Sequence, residues 1–251
     1  MSKKYFEYLN LDNRPGLLGD IATLIGLYKI NILQVSGVSG NWRCFLLEGE
    51  DQALEAFFQA AARIPSIQVL AWRKPLFLDY LAVKHGQKIQ PVKSEPATYQ
   101  FTRNDIGVMI DFLGEIIEKQ SPILIGLRGK PRVGKTESAI AACVYANKRW
   151  TLVSSSLLRQ TIRESLGNID NEHIYLIDGI ITYTRGGYKH KELVLELVRN
   201  YTCVVEHPDF LVNHGLLTWS DFAYLVELRA TPTEEINYED IALSINAFDL
   251  S

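Results

Sequence analysis

Gly129, a second glycine five positions on at Gly134, and then Lys135 and Thr136 make the densest chemical pattern in the sequence, "GKPRVGKTES". Glycines at that spacing let a loop curl until its backbone N–H groups converge, and a helix starting at the second glycine brings its positive dipole end to the same point. Such a point suits a phosphate group. Gly129, Arg132, Val133, Gly134, Lys135, Thr136 and Glu137 are the candidate binding residues, with the N–H donors running from Arg132 to Thr136. The Lys135 ammonium would span β- and γ-phosphate oxygens, and the Thr136 hydroxyl would ligate Mg²⁺. Pro131 lacks an N–H, but it precedes the donors that matter.

The flanking elements fit that chemistry. "SPILIGLRG" before the loop reads as a buried parallel strand, and "TESAIAACVYANKR" after it as a fourteen-residue alanine-rich helix. Some forty residues on, the apolar run "EHIYLIDGI" delivers Asp178, the usual acid for the magnesium of a P-loop site. Thr136 and Asp178 are thus the metal candidates. "TLVSSS" reads as a strand and "LLRQTIRESL" as a helix between the two motifs, while "CVVEHPD" and "YLVELR" follow as further strands. Five strands alternating with helices predict a parallel sheet in a three-layer αβα domain, with ligands at the strands' carboxyl ends.

The chemistry beyond binding has two readings. Gly179 follows Asp178 where many ATPases carry glutamate, so Glu206 becomes the candidate to polarise water if its strand lies between the other two; otherwise Glu206 and Asp209 cap a loop. Lys135, Asp178 and Glu206 form the catalytic set. "TRGGYKHKEL", with Arg185, Lys189, His190 and Lys191, reads either as a lid contacting phosphates or as solvated loop charge. Arg159 and Arg163, one turn apart, suit a phosphate clamp or a polar helix face, and His207 has no partner legible in the sequence. No Ser-His-Asp order and no metal-ligand cluster stands out. The lack of a guanine-specifying N-K-x-D stretch favours ATP over GTP.

The whole chain bounds these readings. Its 251 residues, 47% hydrophobic, provide for two modest domains, and a net charge of −3 gives no long-range attraction to nucleic acid or anionic lipid. No apolar stretch approaches the roughly 20 residues that span a bilayer, and the amino terminus has no apolar leader, so a cytoplasmic protein without membrane contact is expected. Cys44, Cys143 and Cys203 are odd in number and widely spaced, as buried thiols in a reducing compartment would be.

The amino-terminal part reads separately. "YFEYLNL" is a strand; Leu17, Ile21, Leu24 and Tyr28 lie at helical spacing; "INILQVSGV" and "RCFLLEG" form a hairpin about "SGNW"; "DQALEAFFQAAARI" is a helix with Asp51 as its cap; "IQVLAWR" is a strand. The order strand, helix, strand, strand, helix, strand is that of a ferredoxin-like α+β fold. Within it "NRPGLLGDIATLIGLYKINILQV" resembles the ACT domain, a small regulatory module. That resemblance implies side-by-side pairing into a homodimer and an amino-acid-like effector at Asn13, Arg14, Pro15 and Gly16, faced by Val35 to Gly37. A tight strand-to-helix turn alone would also select "RPG".

The predicted layout is an ACT-like regulatory domain over 1–74, a proline-bearing joint over 75–101 with a short hairpin about His85 and Gly86, and a P-loop nucleotide-binding domain over 102–251. Thr102 and Asp105, in capping-box relation, open the last part. The chain also resembles the YmfK-like proteins of Bacillus and its relatives, through "NRPGLLGDI", "RGKPRVGKTES", "KRWTLVSS", "IDGI", "RGG" and "VVEHPD". The resemblance implies the domain pairing and a bacterial cytoplasmic setting, and assigns no activity. The expectation is an ATP-binding, slowly hydrolysing P-loop protein governed by an effector or by dimerisation through the ACT-like part. A small-molecule kinase and a nucleotide sensor without turnover are the alternatives.

Overall fold

The computed structural model describes residues 1–12, 14–37, 40–154 and 172–238. The chain forms two compact units, Met1–Ile89 and Gln90–Ser251, so the boundary falls inside the segment 75–101 expected as a joint.

The first unit runs β1 (Ser2–Asn10), α1 (Leu17–Leu27), β2 (Asn31–Ser36), β3 (Trp42–Gly49), α2 (Asp51–Ala61), β4 (Ile67–Arg73) and α3 (Phe77–His85). Its sheet is antiparallel, in the order β2-β3-β1-β4. Leu17, Ile21 and Ile25 of α1 and Leu54, Phe57 and Ala61 of α2 close a core over Phe6, Tyr8, Phe45 and Leu47. Strand residues alternate between faces, yet Tyr5, Phe6, Glu7 and Tyr8 are all buried. The reason is α3, whose Val83 packs with Tyr5, Cys44 and Leu46 on the other face. Glu7 is tolerated there because Tyr5 Oη, Trp42 Nε1 and Lys88 Nζ donate to it at 3.1, 2.7 and 2.9 Å. The hairpin expected about His85 and Gly86 is instead the end of α3, with Gly86 as its C-cap. A glycine after an amphipathic run serves a helix end as well as a turn.

The second unit comprises β5 (Lys93–Ser94), β6 (Ala97–Thr102), a 3₁₀ turn at Arg103–Asp105, α4 (Ile106–Lys119), β7 (Leu124–Arg128), α5 (Lys135–Tyr145), β8 (Arg149–Leu152), β9 (His173–Asp178), α6 (Gly179–Arg185), α7 (Tyr188–Asn200), β10 (Cys203–Glu206), α8 (Pro208–Asn213) and β11 (Tyr224–Arg229). The sheet order is β5-β6-β11-β7-β10-β9-β8, with β5 antiparallel and the six others parallel. Two strands thus join the five expected, both from the supposed joint. Leu124, Tyr175, Ile177, Val205 and Leu225 pack under Leu193, Val194 and Leu197 of α7. The alternate residues Ile125, Leu127, Ile174, Leu176 and Val204 are buried as well, so both faces are covered, as the near-continuous apolar runs demand. The expected helix of "LLRQTIRESL", with Arg159 and Arg163, lies outside the described residues. No helix among the described residues is long and apolar enough to cross a membrane.

Candidate functional site

The loop 129–134 leaves the carboxyl end of β7 and runs straight into α5, so Lys135 and Thr136 are the first two helical residues. Gly129 and Gly134 have φ of 146° and 110°, the region that side chains avoid, and a Cβ on Gly129 would lie 2.5 Å from the Leu228 carbonyl of β11. Both glycines are therefore demanded by the curl. Arg132 also has positive φ, 63°. Lys135 is only 4% exposed, and its ammonium donates to the carbonyls of Gly129 and Lys130 at 3.0 and 2.8 Å. Burial pulls its pKa down, while Glu206, Asp178 and Glu137 oppose that shift. The Lys135 charge is thus folded onto the loop's own backbone and faces three carboxylates.

Those carboxylates are gathered by topology. β10 lies between β7 and β9, and Glu206 is in register with both Leu127 and Asp178. The condition attached to Glu206 is met in this respect: its strand is the middle one, and its carboxylate accepts from the Thr136 hydroxyl. Burial pushes the Glu206 carboxyl upward, against the Thr136 hydrogen bond and the Lys135 charge. Asp178 ends β9 and caps α6, its Oδ1 accepting from Ile181 N at 3.0 Å. Its pKa is likewise raised by burial, and the N–H groups of Ile181 and Ile180 and the Lys135 charge temper the rise. A Cβ on Gly179 would lie 2.5 Å from the His207 carbonyl and 3.0 Å from that of Glu206. A glutamate has no room after Asp178, and the nearby carboxylate comes from the neighbouring strand instead.

Three features escaped the sequence. His207 is buried with φ of 52°, its N–H donating to the Leu127 carbonyl at 3.1 Å. Burial first, and the Lys135 charge second, hold its imidazole down to about 3. Ser154, just beyond β8, accepts from Asp178 N at 2.9 Å and meets Thr182 Oγ1 at 3.0 Å, which is 3.5 Å from His190 Nε2. This buried chain pins α6 and α7 together, so "TRGGYKHKEL", read as a lid or a charged loop, is the end of one helix, two glycines and the start of the next. Arg128, the last residue of β7, pairs with both oxygens of Asp209 at 2.7 and 3.1 Å, and lies 3.8 Å from the Tyr238 ring. Asp209 therefore belongs to an ion pair rather than to a loop cap. Lys130 of the loop pairs with Glu234 at 2.8 Å.

Of the effector candidates, Arg14, Pro15 and Gly16 are exposed in the first unit, Arg14 paired with Asp20, and Asn13 lies outside the described residues. Among the described residues no group of three or more His, Cys, Asp and Glu side chains is placed to hold a metal by itself. Mg²⁺ is ordinarily held by one or two protein groups together with substrate phosphates, a requirement that Thr136 and Asp178 fit.

Comparison with known proteins places the chain in a family. A solved structure, a point variant of RuvB of Thermotoga maritima, shares 18% identity at a TM-score of 0.35 over 50% of this chain and 43% of its own. The chain thus spans less than half of that protein, and a likeness so slight carries no argument. The uncharacterized protein YmfK of Bacillus subtilis (strain 168) is 43% identical over 242 residues, covering 94% of this chain and 89% of YmfK. Residues 69–249 match the family described as "Protein of unknown function (DUF3388)". The chain belongs to this YmfK-like family.

Proposed function

We propose that the second unit is a three-layer P-loop domain that binds ATP with Mg²⁺ at residues 129–137 and hydrolyses it slowly, and that the first unit is an ACT-like module through which an amino-acid-like effector or dimerisation governs the nucleotide state. The observation that carries the nucleotide reading is the convergence of Lys135, Thr136, Glu206 and Asp178 at the carboxyl ends of three adjacent parallel strands. Strand order in the first unit, β2-β3-β1-β4, supports the ACT-like reading, as does the exposed "RPG" turn.

On binding, phosphate oxygens replace the Gly129 and Lys130 carbonyls as partners of the Lys135 ammonium, and the loop N–H groups hold the β-phosphate. The Thr136 hydroxyl and the Asp178 carboxylate would hold Mg²⁺, and a Thr136 hydroxyl so engaged would leave the Glu206 carboxylate free. Mg²⁺, when bound, neutralises charge on the β- and γ-oxygens. Glu206 then orients a water and accepts its proton as the water oxygen bonds to the γ-phosphorus; the bond to the bridging oxygen breaks, and ADP leaves with its electrons.

The test is isothermal titration of ATP with Mg²⁺ into the wild-type protein and Lys135→Ala, followed by ADP and phosphate assays on the same samples. Binding weakened roughly a hundredfold or more in the variant, with slow ADP and phosphate release by the wild type, is the expected result. Binding without any ADP formation would replace hydrolysis by sensing, and a wild type that binds no nucleotide would end the reading.

A further inference from the structure

Between the loop and Asp178 stands the end of β10, and the nucleotide reading makes this the floor under the terminal phosphate. A β-phosphate held by the loop, with Thr136 and Asp178 holding Mg²⁺, would put the γ-phosphoryl group over the strand that lies between β7 and β9. Two side chains stand at that strand end. Glu206 is an acceptor when ionised and would repel phosphate oxygens. His207 is the other, and it is 6% exposed with no side-chain hydrogen bond among the described residues. With no side-chain partner among the described residues and no ring nitrogen sealed from solvent, its N–H is open to an oxygen acceptor that enters the site.

We propose that His207 reads the third phosphate: its imidazole donates a hydrogen bond to a γ-phosphoryl oxygen, so that the site distinguishes a nucleoside triphosphate from a diphosphate. The inference rests on the nucleotide reading of the loop and adds a residue to it. His207 is held in place from two sides, since its N–H is bonded to Leu127 of β7 and its carbonyl sits against Gly179 of α6, where even a methyl group would collide. A donor fixed before binding loses little freedom when the ligand arrives. The charged group that bears on the ring is the Lys135 ammonium at the start of α5, and with burial it keeps the imidazole neutral, with one N–H to give. The same Lys135 reaches toward the β- and γ-oxygens, so the two donors would approach the terminal phosphate together.

Titration of ADP and of the β,γ-imido analogue of ATP, each with Mg²⁺, into the full chain separates the possibilities. His207→Ala is expected to weaken the triphosphate analogue roughly ten- to a hundredfold while ADP affinity changes less than about twofold. His207→Gln, which keeps a donor, should recover most of the difference. His207→Asn suits the positive φ and falls short of the imidazole's reach, so it should repeat the alanine result without backbone strain. Equal loss for both nucleotides, or no loss for either, overturns the proposal. Loss of both in Lys135→Ala, alongside an unchanged triphosphate-to-diphosphate ratio in the His207 variants, would keep the loop reading and remove this one; a wild type that binds neither removes both.

Discussion

Burial holds the His207 imidazole unprotonated down to about pH 3, whereas a histidine in the unfolded chain takes up a proton near its ordinary value of 6.5. Between those values the unfolded state binds more protons, so the contribution of His207 to stability is full above about pH 6.5 and is lost as pH falls. The slope reaches about 1.4 kcal/mol per pH unit. Urea unfolding of wild type and His207→Gln at about pH 7.5 and about pH 5.5 should show the wild type losing stability relative to the variant by about 1 kcal/mol. Asp178 and Glu206 act with the opposite sign, because burial raises their pKa, but both proteins carry them and the difference cancels them. A constant gap between the two proteins would mean that the imidazole is not sealed from protons.

Arg128 sets the scale of whole elements, because one guanidinium at the end of β7 joins Asp209 of α8, Glu227 of β11 and the Tyr238 ring beyond it. Tyr238 Oη in turn donates to Glu227 at 2.7 Å. Arg128→Met leaves the buried Asp209 without its cation, while Glu227 keeps Arg229 at 2.7 Å, and should cost about 3–5 kcal/mol. An unfolding free energy from urea titration within about 1 kcal/mol of wild type would show the network to be dispensable. None of this was legible in the sequence, where Arg128 and Asp209 stand 81 residues apart. The loop, Asp178 and most helices were legible because local spacing carries them. β6 was not: "ATYQFT" sits among prolines and becomes a strand through its pairing with β11. The closeness of Glu206 to Asp178 likewise depends on which strands adjoin, and apolar runs do not encode strand order.

At the scale of the molecule, the sheet of the first unit has one face under α1 and α2 and the other under α3, which leaves its edges for pairing. β2 is an edge strand, with Leu33 and Val35 exposed by 40% and 45%. The homodimer that the ACT-like reading proposes would pair there, so Val35→Lys should convert a two-chain species to one chain in sedimentation velocity. A wild type that already sediments as one chain would remove the dimer.

The place of β6 beside β11 has a consequence for how the chain acquires its structure during synthesis. The first unit is a contiguous stretch ending at Ile89, so all its partners leave the ribosome together and it can fold at once. β6 emerges directly afterwards, but Gln100 meets Glu227 across 127 residues. At about 5–20 residues per second this strand waits roughly 6–25 s for its neighbour. Its apolar residues Tyr99 and Phe101 are buried in the end, but until β11 arrives they belong to an unpaired edge. A nascent chain of this protein therefore passes through an interval in which a finished amino-terminal unit trails an incomplete sheet, the stage at which chaperone contact and premature association are concentrated.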